Sequence, residues 1–307
     1  MSANALAVGD FLHAFGASAA DAALIAEEVV KHNFSYGLLE QEARDAAILS
    51  VLRKLEDAAA AGEHRHCIWE MAWADAARRY DEAGGDLVAL EPSFISATPY
   101  LRLSGDYAAP VDPRFESNYY RVLRAWLFRK YLRDARDVYE FGCGSGFTLA
   151  GLARLMPDCR LVGLDWAQPA VDLINRVADR HRLKLSARRF DFFHPDASMT
   201  LAPDAVAMTF AALEQIGSRF RDFADWLIER RPSLVINLEP IAEFYDPDKL
   251  FDQLALRYHH KRQYLAGYQP YLAELAKLGR IELVLARRLG MGNLFHEGYS
   301  LLIWRPL

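Results

Sequence analysis

Residues 138–147 read VYEFGCGSGF and place three glycines at alternate positions, Gly142, Gly144 and Gly146. The apolar run before them predicts a short buried strand, and residues 147–156 predict a helix. Glycine lets a backbone approach a ligand closely because no Cβ intervenes. A helix N-terminus directs its free N–H groups and its positive dipole end at the same point. A strand, a glycine turn and a helix N-terminus in this order predict a nucleotide-type site.

The spacing of the glycines separates this site from two common nucleotide sites. The dinucleotide fingerprint is G-x-G-x-x-G, whereas here the third glycine comes one residue early and Phe147 takes its expected place. A P-loop needs G-K-[ST] after its glycines, and no such triplet follows. Both the NAD-type and the ATP-type interpretations are therefore disfavoured.

The sequence after the glycines alternates between strand-like and helix-like segments. Apolar runs of strand length lie at residues 138–141, 161–164, 185–190, 205–210 and 234–238. Helical stretches lie between them at 147–156, 169–181 and 220–230. A long helical region, 247–278, then precedes runs at 281–286 and 299–304 that are joined by a turn-rich loop. This order predicts an α/β fold with a doubly wound, mostly parallel, seven-stranded sheet closed by an antiparallel C-terminal hairpin.

The sequence before the glycines has a different character. Helical periodicity dominates up to residue 83, and the aromatic stripe Trp69, Trp73 and Tyr80 is interpreted as core. Residues 86–113 are rich in proline and predict a linker with one short extended segment at 100–103, followed by a helix at about 114–133. We therefore predict an all-helical N-terminal domain with its linker over residues 1–112 and a second domain over 113–307. The first would cover the active site, select substrate or form a homodimer.

Bulk properties exclude several classes of protein. With a net charge of −5, the protein does not have the positive electrostatic field that nucleic-acid binding needs, so no nucleic-acid partner is expected. Three widely spaced cysteines make no disulfide framework and predict a reducing, cytoplasmic location. No uncharged apolar run approaches the ~18 residues of a membrane span, and the first residues do not resemble a secretory leader.

The motif at residues 140–146, EFGCGSG, followed by Gly163-Leu164-Asp165 after the next strand, resembles the class I S-adenosylmethionine-dependent methyltransferases. The resemblance covers roughly residues 114–307, and the terminal hairpin is also characteristic of that Rossmann-like fold. It implies S-adenosyl-L-methionine as cofactor and S-adenosyl-L-homocysteine as product.

The resemblance also implies roles for residues around the glycine loop. The backbone of Gly142, Gly144 and Gly146 would approach the methionine part of the cofactor. Glu140 would lie close to its amino group or support the loop. Asp165 would accept hydrogen bonds from both ribose hydroxyls, a role that suits an acceptor-only carboxylate.

Further cofactor contacts are implied at neighbouring strand ends. The residues are Trp166 beside the adenine, Asp191 for the adenine amino group, Phe192 for the ring and Phe210 beneath the methyl-bearing sulfur. Tyr119 or Tyr120, from the preceding helix, would reach the cofactor carboxylate, and Tyr119 is our choice. Cys143 is interpreted as a small filler in the loop rather than a nucleophile.

Methyl transfer is an in-line displacement, so catalysis consists mainly of positioning, and a base is needed only for a protonated acceptor. Position suggests four catalytic candidates: Glu214 after the fourth strand, Glu239 at the end of the fifth, His259 in the helical insertion and His296 before the last strand. A metal site of Glu239, His259 and His296 lacks ligand-like spacing, and we predict no metal.

The sequence departs from the family pattern in two ways. Gln215 stands where many relatives have histidine, which removes an easy base. The Asn-Pro-Pro-Tyr-type signature of the DNA- and glutamine-modifying members is missing, which disfavours methylation of a nucleic-acid base or a protein glutamine. We therefore predict transfer to O or N of a small molecule, a biosynthetic intermediate or a sugar. A peptide or protein acceptor and a non-catalytic partner protein remain as alternatives.

Overall fold

A computed structural model describes residues 4–92, 95 and 99–307. The N-terminal helices are α1 (Val8–Phe15), α2 (Ala22–Val30), α3 (Gln41–Asp57) and α4 (His66–Glu82). The strands of this part are β1 (Asn4–Ala5), β2 (Ser35–Leu38), β3 (Leu101–Leu103) and β4 (Asp106–Pro110).

The expectation of an all-helical N-terminal part is wrong, because these strands form an antiparallel sheet in the order β1-β2-β4-β3. The sheet gains a fifth strand, β11 (Met291–Gly292), from the loop near the C-terminus, which pairs with β3. The strands are only two to five residues long. Such short segments carry almost no alternating pattern, so long-range pairing decides their conformation. The predicted extended segment at 100–103 is confirmed as β3.

Helix α5 (Phe115–Tyr131) connects this part to the larger sheet, as predicted. The elements that follow are β5 (Asp137–Phe141), α6 (Phe147–Leu155), β6 (Arg160–Asp165), α7 (Gln168–His181), β7 (Leu185–Arg189), β8 (Val206–Phe210), α8 (Arg221–Arg230) and β9 (Leu234–Glu239). The chain ends with α9 (Leu250–Arg262), α10 (Tyr268–Lys277), β10 (Ile281–Arg288), β11 and β12 (Ser300–Pro306).

The seven-stranded sheet has the order β10-β12-β9-β8-β5-β6-β7. The five strands from β9 to β7 run parallel, and β12 lies antiparallel between β9 and β10. The predicted doubly wound sheet and its closing hairpin are confirmed. The chain leaves β5 towards β6 on one side and later returns to β8 on the other, so the order reverses beside β5. Open α/β sheets bind ligands at the carboxyl ends of the strands at such a point.

Helices from the N-terminal part pack directly on the larger sheet's helices. Phe15 of α1 stacks on Trp126 of α5 with ring centroids 5.3 Å apart, inside one continuous apolar core. Helix α4 packs on α7 through a separate cluster that includes Trp73 and Leu173. This packing brings α4 across the carboxyl ends of β5 and β6. No helix among the described residues is long and apolar enough to cross a bilayer.

Candidate active site

The glycine loop joins β5 to α6 in a conformation that suits glycine alone. Gly142, Gly144 and Gly146 have φ values of 69°, 53° and 76°, which side-chain-bearing residues rarely adopt. Space is also short: a Cβ on Gly144 would lie 2.6 Å from Trp73, and one on Gly146 would lie 2.7 Å from Ile174. The loop is therefore a close-packed surface for both α4 and α7.

Backbone hydrogen bonds hold this loop against the next strand. The N–H groups of Gly142 and Cys143 both donate to the Leu164 carbonyl, at 2.6 and 3.2 Å. The Gly144 N–H donates to Asp165 Oδ2 at 2.9 Å. These donors are engaged within the chain. Of the three glycines, Gly142 lines the cavities beside the loop, whereas Gly144 and Gly146 are packed against Trp73 and Ile174.

Asp165 has a structural role that the sequence did not indicate. Besides Gly144, its Oδ1 accepts a hydrogen bond from the Ala167 N–H at 2.9 Å. Burial raises the pKa of this carboxyl to about 6, although the two backbone donors lower it in part. Each carboxylate oxygen has a second lone pair, so the group can still accept from a ligand in the cavity that it lines.

The first of three adjoining cavities, the aromatic chamber, lies between α4 and the ends of β6 and β7. Its walls include Trp69, Trp73, Trp166 and Phe192. Trp69 and Trp73 stack with centroids 5.6 Å apart. The chamber therefore offers the flat apolar surfaces that a heteroaromatic ring needs. Trp166 and Phe192, both predicted for the adenine, lie in it.

Asp191 lies at the end of β7 but turns away from this chamber. Its Oδ1 accepts from the Phe193 N–H at 2.8 Å, and its Oδ2 lies 3.1 Å from His194 Nδ1. The side chain is 38% exposed. In this arrangement Asp191 closes a local turn, and the predicted contact with an adenine amino group would need a different side-chain rotamer.

The second cavity, the carboxylate chamber, lies beside the glycine loop at the end of β5. Its lining includes Glu140, Cys143, Phe210, Tyr120 and Tyr299. Glu140 is 3% exposed, and its Oε2 has no hydrogen-bond partner among the described residues. Burial raises its pKa to about 8. A buried, unpaired carboxyl oxygen in a cavity wall needs a donor, and an ammonium group supplies one.

Cys143 and Phe210 both lie in the wall of the carboxylate chamber. Cys143 is buried, and burial raises the pKa of its thiol well above the ordinary value, so it is no activated nucleophile. Phe210 contacts Tyr120 edge to face at 6.4 Å.

The structure corrects the choice between the two tyrosines of α5. Tyr119 points into the N-terminal core, where it packs on Phe11 and Phe15, and its hydroxyl donates to the Leu289 carbonyl. Tyr120 lines the carboxylate chamber, 3.4 Å from Thr148 Oγ1. Adjacent helical residues point about 100° apart, so only one of the pair can face the cleft.

The third cavity, the polar chamber, has a volume of about 240 Å³. Its polar lining comprises Arg65, Glu116, Glu214, Gln215, Tyr258, Arg262, Tyr264, Asn293, His296 and Tyr299. Ala211 and Trp69 line all three chambers. Ala211 follows β8 with a φ of 52°, a strained value for a residue with a side chain. The sharp turn it makes brings the three cavities together.

Glu214 and Glu239 have different environments. Glu214 lines the polar chamber, and burial together with the Glu239 charge raises its pKa to about 8. Glu239 is fully buried, and its oxygens accept from the N–H groups of Ala212 and Glu214 at 3.1 and 3.3 Å. Glu239 thus positions the segment that carries Glu214, and its predicted place against the acceptor is corrected.

The two predicted histidines form a buried pair. His259 Nε2 lies 3.0 Å from His296 Nδ1, and burial lowers the pKa of His259 to about 3 and that of His296 well below its ordinary value. Both are therefore neutral. His296 lines the polar chamber, whereas His259 stands behind it. Among the described residues, no three His, Cys, Asp or Glu side chains come together to hold a metal ion.

Several chamber residues escaped the sequence analysis. Arg65, Trp69 and Trp73 follow one another at intervals of four, so they share a face of α4. The sequence analysis interpreted the tryptophans of this face as core. They are packed in the structure, and the partner of Trp73 is the glycine loop. Glu116 is buried, accepts a hydrogen bond from the Tyr299 hydroxyl at 3.1 Å and carries an Oε2 without a partner among the described residues. Nothing in its local sequence signals this position.

Comparison with known proteins identifies the fold. No protein-family model and no curated protein matches the sequence. Among solved structures, the [4+2]-cyclase SpnF is 12% identical over 81% of this chain and 97% of its own, with a TM-score of 0.51. The neocarzinostatin-biosynthesis O-methyltransferase NcsB1, solved with S-adenosyl-L-homocysteine and 1,4-dihydroxy-2-naphthoic acid, is 18% identical over 64% of this chain, with a TM-score of 0.41. The match spans only 59% of NcsB1.

A third similar structure is the geranyl diphosphate C-methyltransferase from Streptomyces coelicolor A3(2), 14% identical over 62% of this chain and 82% of its own, with a TM-score of 0.44. Sequence identities this low are evidence for a shared fold and for nothing further. With its strand order and closing hairpin, the chain has the Rossmann-like fold of class I S-adenosylmethionine-dependent methyltransferases. The resemblance stated from the sequence is confirmed at that level.

Proposed function

We propose that this protein transfers the methyl group of S-adenosyl-L-methionine to an oxygen or nitrogen of a small molecule. One observation carries the proposal: the polar chamber with Glu214 adjoins the glycine-loop cleft at Ala211 and Trp69. An acceptor in the polar chamber would thus lie next to a cofactor in the cleft. Proximity of two reactants in a fixed orientation is the main requirement of an in-line displacement.

The residues of the cleft suit this cofactor. The aromatic chamber would take the adenine between Trp166 and Phe192, and Asp165 would accept from the ribose hydroxyls. Glu140, with its unpaired buried oxygen, would accept from the amino group. When bound, the cofactor supplies an activated methyl group on a sulfonium centre.

The chain's own contribution to the reaction is to hold the acceptor and to remove its proton. Glu214 is the carboxyl in the polar chamber whose surroundings raise its pKa to about 8. A base with a pKa near the working pH combines an adequate ionised fraction with a useful driving force. Glu239 fixes the Glu214 backbone, so the base is held on a rigid segment.

A different reaction on the same fold is the second candidate. SpnF, whose fold matches over most of both chains, is a cyclase. The fold therefore does not require methyl transfer, and fold likeness alone cannot choose between the two. A peptide acceptor is a further alternative, although a 240 Å³ chamber favours a small molecule.

Calorimetry with S-adenosyl-L-homocysteine tests the cofactor assignment. We expect binding by the wild-type protein and weaker binding by Asp165→Asn, because the amide nitrogen of asparagine cannot accept a hydrogen bond and one oxygen remains for the backbone donors and the ribose. Cell extract incubated with methyl-labelled cofactor then tests transfer by the label and mass of the product. Absence of cofactor binding overturns the proposal. Binding without label transfer to any product favours the cyclase-like or non-catalytic reading.

A further inference from the structure

Two arginines line the polar chamber, and neither has a carboxylate partner among the described residues. Arg65 stands at the N-terminus of α4, and Arg262 ends α9. Arg65 Nη1 donates to Gln215 Oε1 at 3.5 Å, whereas Arg262 donates to the Ala59 carbonyl and to the Tyr264 hydroxyl. The Nε atoms of both are buried and have no hydrogen-bond acceptor among the described residues.

The environment of Arg65 and Arg262 differs from that of Arg288, which lies at the end of β10. Arg288 is bound by Asp252 and Glu297, with four N–O distances between 2.6 and 2.8 Å. A buried guanidinium normally finds such a partner, because an unsatisfied buried donor costs free energy. An Nε without an acceptor among the described residues also occurs on Arg44, Arg102 and Arg124, but Arg65 and Arg262 differ from these in lining the same chamber, where an external acceptor can meet both guanidinium groups.

The charge balance of the chamber points to an anion. Burial and the nearby charge of Arg262 both lower the pKa of Arg65, so each positive charge disfavours the other. Two buried carboxyls share the chamber, Glu214 and Glu116, and burial raises their pKa to about 8 and about 7, so neither is fully ionised at neutral pH. The two guanidinium groups thus face the cavity without a full counter-charge.

The walls around the arginines are aromatic. Arg65 lies over the Trp69 ring at 5.7 Å, and Arg262 lies over the Tyr264 ring at 5.0 Å. Tyr258 stacks on Phe295 beside them at 5.3 Å. A guanidinium fork next to flat rings recognises a planar carboxylate attached to an aromatic system.

We propose that the acceptor is an aromatic hydroxy acid whose carboxylate is bound by Arg65 and Arg262, while its hydroxyl faces Glu214. This inference rests on the proposed function, because it names the substrate class of the same site. The guanidinium pair selects the acid and fixes its orientation. Arg65 and Arg262 are specificity-determining residues for this acceptor.

A matched pair of ligands tests the inference. Hydroxynaphthoate and the corresponding hydroxynaphthamide have nearly the same shape but differ in charge. We expect calorimetry of the full chain to give at least about tenfold tighter binding of the acid. Arg65→Gln and Arg262→Gln should each remove most of that preference and leave the affinity for the amide nearly unchanged. Arg262→Lys, which keeps a positive charge, should retain part of it.

Arg219→Gln is the matched control, because Arg219 is exposed and pairs with Glu63 outside the chamber. It should leave the acid preference unchanged. Equal binding of acid and amide overturns the inference, as does failure of both to bind at millimolar concentration. Tighter binding of naphthyl phosphate than of the acid overturns the assignment to carboxylate. A parallel titration with S-adenosyl-L-homocysteine separates the two proposals, since its failure counts against the proposed function itself.

Discussion

At the scale of single residues, carboxylates do two kinds of work at this site. Asp165 and Glu239 accept hydrogen bonds from backbone N–H groups with both oxygens, whereas Glu140 and Glu116 each have one oxygen without a partner among the described residues. Asp165, Glu140 and Glu214, for which the sequence predicted site roles from strand ends and the glycine turn, all line cavities, and the roles themselves stay predictions. The sequence does not show which of the two strand-end acids, Glu214 or Glu239, faces the polar chamber. The answer depends on which backbone N–H groups each carboxylate meets in the folded chain.

Asp165→Ala should weaken the fold as well as the cofactor site. The change leaves the Gly144 and Ala167 N–H groups buried without their acceptor, which costs about 1–3 kcal/mol. Urea unfolding measures this loss. Asp196→Ala is the control, because Asp196 is exposed and closes only a local turn. Equal stability of the Asp165 variant and wild type would contradict the loop-holding role.

Glu214→Gln should lower the methyl-transfer rate by about 10²- to 10⁴-fold while cofactor affinity stays unchanged. In the wild type, a pKa of about 8 for Glu214 means that the rate should rise with pH towards that value as the base ionises. The variant should lose this limb of the pH–rate profile. A variant with wild-type rate and profile would show that Glu214 is not the base.

At the scale of elements, α4 shows where sequence patterns reach their limit. Its helical periodicity is plain, and the helix forms. The partner of its aromatic face is the glycine loop, about seventy residues further along the chain, and periodicity cannot identify a partner at that distance. Periodicity cannot predict the neutral pair His259 and His296 either, because α9 and the loop before β12 meet only in the folded chain.

Substitutions at two glycines with similar backbone conformations distinguish the cost of a left-handed backbone from the cost of a steric clash. Gly144 and Gly84 have φ values of 53° and 66°, but a Cβ on Gly144 would meet Trp73 whereas one on Gly84 would meet nothing within 4 Å. Gly84→Ala should cost about 1–2 kcal/mol for its left-handed backbone alone. Gly144→Ala should cost more in thermal unfolding and should also weaken cofactor binding, because α4 must shift. Equal costs would show that α4 does not press on the loop.

At the scale of the whole molecule, all seven strands of the larger sheet and the helices between its strands before β9 were predicted from the sequence to within a few residues, whereas the single long helical region predicted over 247–278 is divided into α9 and α10. Long apolar runs between helices carry strong signals. The five-stranded sheet was missed, because it assembles strands from residues 4–5 and 291–292, almost the full length of the chain apart. The predicted division at residues 112 and 113 stays a prediction.

Arg288 connects β10, α9 and the loop before β12 through Asp252 and Glu297, both of which are nearly fully buried. Arg288→Met would remove the cation from the buried carboxylate of Glu297 and leave Asp252 with Arg102 at 3.9 Å as its remaining cation, and should cost about 3–5 kcal/mol. Arg305→Met is the control, because the exposed pair of Arg305 with Glu282 should contribute at most about 1 kcal/mol. Denaturant unfolding of both variants measures the difference, and similar losses would contradict a special role for Arg288.

Stability should fall as pH rises from about 6.5 to about 8.5. Burial raises the pKa of Glu140 and Glu214 to about 8 and of Glu116 and Glu239 to about 7. These groups hold their protons in the folded state and lose them in the unfolded state, so the stability they contribute at low pH disappears as pH passes these pKa values.

The neutral histidine pair opposes this trend only below about pH 6.5, where the unfolded histidines become charged. Urea unfolding at three pH values above that point measures the slope. Glu214→Gln should reduce it, and a stability that rises over this range would contradict the assignment of protonated buried carboxyls.

Trp69 is a shared wall, since it borders all three chambers. A ligand that shifts its indole in one chamber alters the shape of the next. Under the proposed function, cofactor and acceptor therefore cannot bind independently. Whatever factor the cofactor applies to the affinity for the acceptor, the acceptor must apply to the affinity for the cofactor, by thermodynamic reciprocity. The strength of this coupling is then set in part by one side chain on α4.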